Sequence, residues 1–266
     1  MAKLSISRAW DESRGVLGRD GGLIGTIALA LLVLPGVVND MVTPEAPPTE
    51  LPPAGAWMIV MAIAFLVSLV GQLAIVRIAL GSRSTVGEAI QRGGARAPAY
   101  IIATLMWLVP LAIVPIALMP MLQQPDPSGA AAIGVLVWLP IAIFIAVRMF
   151  MSPPVAAAEM GGPLEILRRS WRLTAGNWWR LFGFFLVLMV GGVVLLLAAG
   201  AVLGIVVGAL FGEIEPMSLG GLILSILTQI VAALLTVLFV VMLARIYAQL
   251  AGERDAAEVS VPNSGT

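Results

Sequence analysis

The sequence predicts an all-α polytopic membrane protein, one bundle of six transmembrane helices with amphipathic helices on its cytoplasmic surface. Three observations predict it. Hydrophobic residues make up 60% of the chain and charged residues 11%, against about a quarter charged in soluble domains. Six apolar runs approach or exceed the ~20 residues that cross a bilayer core, and none carries a charge near its middle. The basic residues fall only at the chain ends and in alternate connections.

The runs cover about 21–38, 56–80, 100–122, 130–151, 181–211 and 219–243, within a single domain of 1–252 followed by a disordered tail, 253–266. The first is short and has no cleavage site behind it, so it reads as a retained span rather than a signal peptide. The fifth would be ~46 Å long as one straight helix, and Gly191-Gly192 is the expected place for a break or bend. Pro110, Pro115 and Pro120 in the third run and Pro140 in the fourth are expected as bends packed inside the bundle, where neighbours satisfy the carbonyls they free.

Charge fixes the orientation. All fifteen basic residues lie before the first run, around the second and fourth connections, or after the last run, whereas the alternate connections hold acids alone: Asp40, Glu45 and Glu50, then Asp126, then Glu213 and Glu215. The positive-inside rule then places both termini in the cytoplasm. Fifteen bases balance fifteen acids, so nothing implies attraction to nucleic acid. The first outer connection, Thr43 to Pro53, is proline-rich and polyproline-like. The other two outer connections are short, leaving function to the membrane or its cytoplasmic face.

Gly161 to Arg180 is the longest polar-containing segment that still has a helical pattern. Gly162-Pro163 starts a helix with Glu165 in its first turn. At 100° per residue, Glu165, Arg168, Arg169 and Arg172 form a wet stripe, while Leu164, Leu167, Trp171, Ala175 and Trp178 share a greasy face. Arg8-x-Trp10-x4-Gly15-x3-Arg19 repeats as Arg169-x-Trp171-x4-Gly176-x3-Arg180. Between them, Thr85-x-x-Glu88 offers a capping box and Glu88-Ala-Ile-x-Arg92 echoes Glu165-Ile-Leu-x-Arg169. The even runs end alike, in Arg77-Ile-Ala, Arg148-Met-Phe and Arg245-Ile-Tyr. The chain therefore reads as three units, each an amphipathic helix followed by a transmembrane hairpin.

Arg169-Ser-Trp-Arg-Leu-Thr-x-Gly-Asn177 leading into a span, six helices with both ends inside, and the closing Arg245-Ile-Tyr resemble the bacterial inner-membrane proteins of the glycerophosphoryl diester phosphodiesterase membrane domain family and the similar YciC-like family. The resemblance covers nearly the whole chain. It implies a six-helix envelope protein of the inner membrane rather than a hydrolase, because the family's soluble catalytic domain has no counterpart in this sequence.

Several residues are candidates for function. Arg77, Arg148 and Arg245 either snorkel to the headgroups as anchors or converge on a phosphate-bearing headgroup, whose geometry guanidinium forks match. Arg168, Arg169, Trp171, Arg172, Trp178, Trp179 and Arg180 form a basic, aromatic belt suited to anionic lipid. Ser68 and Gln72 in the second span and Ser225, Gln229 and Thr236 in the sixth are expected in interhelical hydrogen bonds. Gly200, Gly204, Gly208 and Gly212 form a zipper for close helix approach, within the fold or between protomers. With neither cysteine nor histidine, no buried carboxylate pair and no activated nucleophile, no catalytic residue, metal site or cofactor is expected. The expected function is a non-catalytic accessory or scaffold in membrane maintenance, with membrane lipids and a protein partner or second copy as ligands. The alternative is binding or transport of lipid or glycerophosphodiester through a cytoplasm-facing cavity lined by the three arginines.

Overall fold

Apolar length decides where the helices run, and the polar breaks between runs decide where they turn. The computed structural model describes residues 4–44, 53–82, 85–122, 129–212 and 218–259, without the side chains of 122 and 253–259. Most of the proline-rich outer connection, the remaining outer acids, Lys3, Arg83 and the Arg254 side chain lie outside the described residues. The helices are α1 (Ile6–Ala28), α2 (Leu34–Val42), α3 (Trp57–Ala79), α4 (Val86–Leu122), α5 (Gly129–Arg148), α6 (Ser152–Ala158), α7 (Pro163–Thr174), α8 (Trp178–Phe211) and α9 (Leu219–Val259). Six segments are long and apolar enough to cross a membrane. This is a multi-pass membrane protein.

The spans match the apolar runs, with four differences in how they begin and end. The first is not short: Ile6–Val42 forms one 37-residue element, with a π turn at Leu29–Val33 joining α1 to α2. Pro35 follows directly, and a wide turn there accommodates the missing N–H that would have bonded Leu31. In the second unit, the Thr85–Glu88 box forms as expected, Glu88 N donating to Thr85 Oγ1 at 3.3 Å and Thr85 N to Glu88 Oε2 at 3.4 Å. Its helix, however, continues into the span as one 37-residue α4. The fifth span is an unbroken 34-residue helix that passes through Gly191-Gly192, since two glycines weaken a helix but the bilayer offers their backbone no other hydrogen-bonding partner. At the far end α9 continues through Val259, into the stretch read as tail, and 260–266 lie outside the described residues.

The prolines do not face the interior. Pro110, Pro120 and Pro140 are exposed, and Pro115 is half-buried. Only the lipid side has room for a ring that pushes the preceding turn outward. Pro115 denies Leu111 its helical donor, and Trp138 Nε1 from α5 supplies one to Leu111 O at 3.0 Å.

Packing is concentrated at the arginine-rich end. Leu73 to Val76 and Ile78-Ala79 of α3, Val155 to Ala157 of α6, and Val240 to Ala244 with Ile246 of α9 are nearly all without exposed surface. Toward the other end α4, α5 and α8 present large apolar side chains outward, such as Ile116, Leu136 and Ile205, each at least 70% exposed. Those faces belong to lipid. Helix α3 lies at the centre, touching α1, α2, α4, α6 and α9. Its contact with α4 is backbone on backbone: a Cβ at Gly93 would stand 2.9 Å from Val70 O and 3.2 Å from Ala74 N.

Gly204 has no such neighbour. Gly93→Ala is therefore expected to destabilise the protein by about 1–3 kcal/mol, the cost of overpacking, in a thermal unfolding series, while Gly204→Ala stays within about 0.5 kcal/mol of the wild type. Equal effects would contradict this packing.

Candidate functional site

Helix α7 and the ends of its neighbours form the candidate site. Glu165 Oε2 accepts from Gly162 N at 2.8 Å, closing the start the sequence predicted. The helix has three faces rather than two. Ile166, Ser170, Leu173 and Thr174 are buried against the protein, Leu164 and Trp171 are exposed on the side the greasy stripe identified, and Arg168 and Arg172 are exposed on the wet stripe. The buried face was missed because two of its four members are hydroxyl residues. Both have work there: Ser170 Oγ donates to Arg148 O at 2.8 Å, and Thr174 Oγ1, 3.4 Å from that oxygen, donates back into its own helix at Ser170 O, 3.0 Å away. Ser170 thereby supplies a donor at the last carbonyl of α5, which has no helical partner. Gly176, at φ 85°, then turns the chain, and Asn177 caps α8 while its Oδ1 accepts from Leu4 N at 3.4 Å.

The span-end arginines are used in the same way. Arg77 Nη1 donates to Ala157 O at 2.8 Å, and Arg96 donates to Ala156 O at 3.0 Å and Gly161 O at 2.6 Å, so two guanidinium groups cover the end of α6. Arg245 Nη1 reaches Ala79 O, the end of α3, at 3.3 Å. Its Nε and Nη2 lie 2.9 and 2.7 Å from Glu12 Oε2, while Glu12 Oε1 takes Arg8 at 2.8 Å. Tyr247 completes the terminal motif by donating to Glu159 Oε1 at 2.8 Å, which Arg169 Nε also reaches at 2.9 Å. Arg148 stacks between rings, its Cζ 5.2 Å from the Phe144 centroid and 5.0 Å from that of Trp171. Arg77, Arg148 and Arg245 therefore hold equivalent places in the three units but separate partners. They do not converge on one site.

Arg168, Arg169, Trp171 and Arg172 are brought together. With Glu159 and Glu165 they line an open groove of about 720 Å3. Beside it, Trp178 stacks on Phe182 at 5.2 Å and on Phe144 at 5.9 Å, with Trp179 edge-on at 4.7 Å. Arg180 points elsewhere, donating to Leu4 O at 3.3 Å. The groove offers exposed guanidinium groups to an anion, flanked by carboxylates and backed by aromatic surface.

The chain belongs to the family described as Domain of unknown function (DUF7847), matching it over residues 4–250. No curated protein and no solved structure matches the chain. The DUF7847 region begins at Leu4 and ends at Leu250, the first and last members of the described core, so it includes every helix-end tie described above.

Ser225 and Gln229 of α9 find the interhelical bonds expected of them, but with a partner expected in an outer connection. Asp40 does not sit in an outer loop. It occupies the last turn of α2 and its Oδ2 accepts from Ser225 Oγ and Gln229 Nε2, each at 2.8 Å. Ser225 and Gln229, one turn apart on α9, reach it because Gly36 has no side chain: a Cβ there would overlap the Gln229 amide. The i, i+4 spacing of two polar groups signalled a shared partner without saying which residue it is. Thr236 instead bonds its own helix at Ala232 O, 2.9 Å away, and Ser68 and Gln72 have no hydrogen bond among the described residues. Gln72 lines a crevice of about 460 Å3 between α3, α8 and α9. Among the described residues no helix packs on the glycine zipper at Gly200 or Gly204, where a Cβ would meet nothing within 4 Å, and Gly212 ends α8 with φ 81°. Close approach of α8 and α9 uses Gly220 against Phe211 and Val207.

Gly36→Ala displaces the Gln229 amide from Asp40 and is expected to cost about 0.5–1.5 kcal/mol, that of one hydrogen bond, and to be near neutral in a Gln229→Ala background. A double-mutant thermal unfolding cycle reads that coupling; additive effects would separate Gly36 from the Asp40 contact.

Proposed function

We propose that the protein is a non-catalytic membrane scaffold, with both termini in the cytoplasm and a rigid basic, aromatic face presented to a protein partner and to anionic headgroups in membrane maintenance. The observation that carries this reading is the use of the span-end arginines. Arg77 and Arg245 are bonded to helix-end carbonyls, Arg245 also to Glu12, and Arg148 lies between two rings. Residues of the Arg169 to Asn177 motif likewise tie α5, α7 and the start of α8 to their neighbours. Lipid or glycerophosphodiester transport through an arginine-lined cavity needs those three side chains free on one wall. None of them lines a groove described above.

The exposed guanidinium groups of Arg168 and Arg172 are then the ones available to a partner, on a helix whose third face already touches lipid. A photo-crosslinking residue at position 172 in intact cells is expected to give one discrete protein adduct that is absent from position 205 on the lipid face. Reconstituted vesicles are expected to move fluorescent phospholipid no faster than empty ones. Accelerated lipid movement, or no adduct particular to position 172, would defeat the scaffold reading.

A further inference from the structure

A second groove, of about 660 Å3, runs down the side of the bundle between the start of α1 and the start of α8. Its upper rim carries Ser7, Trp10 and Asp11 from α1 and Trp179 and Arg180 from α8. Below the rim its wall is Gly183, Phe184, Val187 and Leu188, with Met242 of α9. The polarity is graded along the membrane normal. Arg180 lies two residues into the spanning helix α8, and Leu188 lies about 12 Å deeper at the helical rise of 1.5 Å per residue. That is the profile of a phospholipid, charged head above and alkyl chain below.

The rim groups have the right vacancies. Trp10 and Trp179 are 43% and 77% exposed, and neither indole N–H has a partner among the described residues, although tryptophans at a membrane interface ordinarily direct theirs toward polar headgroup atoms. Arg180 commits only Nη1, to Leu4 O, leaving the rest of its fork for a phosphate. Asp11 is exposed and has no hydrogen bond or ion pair among the described residues. A free carboxylate beside the phosphate position favours a cation there and opposes a second negative charge. Gly183 keeps the channel open, since a Cβ on it would meet nothing within 4 Å.

We infer that this groove binds one zwitterionic, amine-bearing phospholipid from the leaflet at the basic end, its phosphate on Arg180 and the two indoles, its ammonium on Asp11, and an acyl chain along Gly183 to Leu188. The site is separate from the α7 groove and selects against the anionic lipids that the α7 belt attracts. It goes beyond the scaffold reading and does not depend on it.

The test is native mass spectrometry of the full chain in nanodiscs of equal parts phosphatidylethanolamine and phosphatidylglycerol. One phospholipid per chain is expected to survive activation, with phosphatidylethanolamine outnumbering phosphatidylglycerol among the bound lipids by roughly ten to one, the effect of one charge-assisted hydrogen bond. Gly183→Leu, at a position where the added Cβ meets nothing within 4 Å, fills the groove and should abolish retention with the thermal unfolding midpoint kept. Asp11→Asn, an exposed and unpartnered position, should keep a bound lipid but bring its composition back to that of the disc. Retention unaffected by Gly183→Leu, a preference for phosphatidylglycerol, no retained lipid, or selectivity unchanged in Asp11→Asn would overturn the assignment.

Discussion

A helix that ends inside a protein leaves its last carbonyl oxygens without donors, and water at the edge of a membrane is not always there to supply them. In this chain α3, α5 and α6 all end on the basic side, α3 and α6 packed against each other and against α9, and α5 against α7 and α8. Each end is met by side chains from elsewhere: Arg245 at α3, Ser170 at α5, Arg77 and Arg96 at α6. The match of cation to carbonyl end is also the favourable sense of the helix dipole. Because donors and acceptors come from different spans, each bond fixes the depth of one helix relative to another. The ends of α3, α6 and α9 can then pack with little exposed surface while the opposite ends of α4, α5 and α8 spread into lipid.

That division of labour explains the three units. They share a span ending in arginine, and in each unit the arginine is used within the protein. They differ ahead of the span. The amphipathic segments of the first two units run straight into their helices, whereas in the third Gly176 adopts a left-handed turn and frees α7 to lie across the ends of α5 and α6. Gly15, its counterpart in the Arg-x-Trp repeat, stays within α1. Helix α7 is thus held across the ends of its neighbours, and its exposed stripe lines the basic groove.

Much of the fold was legible in the sequence because membrane spans are declared by length and composition alone. The helix starts at Thr85 and Pro163 were legible for a similar reason, since caps are local chemistry. What could not be read was which polar groups meet. Ser170 and Thr174 look like breaks in an apolar face until the α5 carbonyl appears beneath them. Asp40 looks like loop charge until Ser225 and Gln229 reach it past Gly36. Trp138 is one more apolar-run residue in the sequence, and only the fold shows that it answers the carbonyl Pro115 orphaned. Each is a contact between residues far apart in the chain, and one-dimensional periodicity says nothing about it. The arginines misled in the opposite direction, because a phosphate and a helix end ask for the same fork.

The central claim, that guanidinium groups on helix-end carbonyls hold the basic end together, is tested most directly by hydrogen exchange on the full chain in lipid discs. In the Arg77→Gln, Arg96→Gln variant, the amides of α6 should exchange at least roughly tenfold faster than in the wild type, the effect of leaving buried carbonyls unmet, with the lipid-facing half of α8 unchanged. Exchange in α6 that matches the wild type would mean that the arginines merely accompany the packing, and the account would fail.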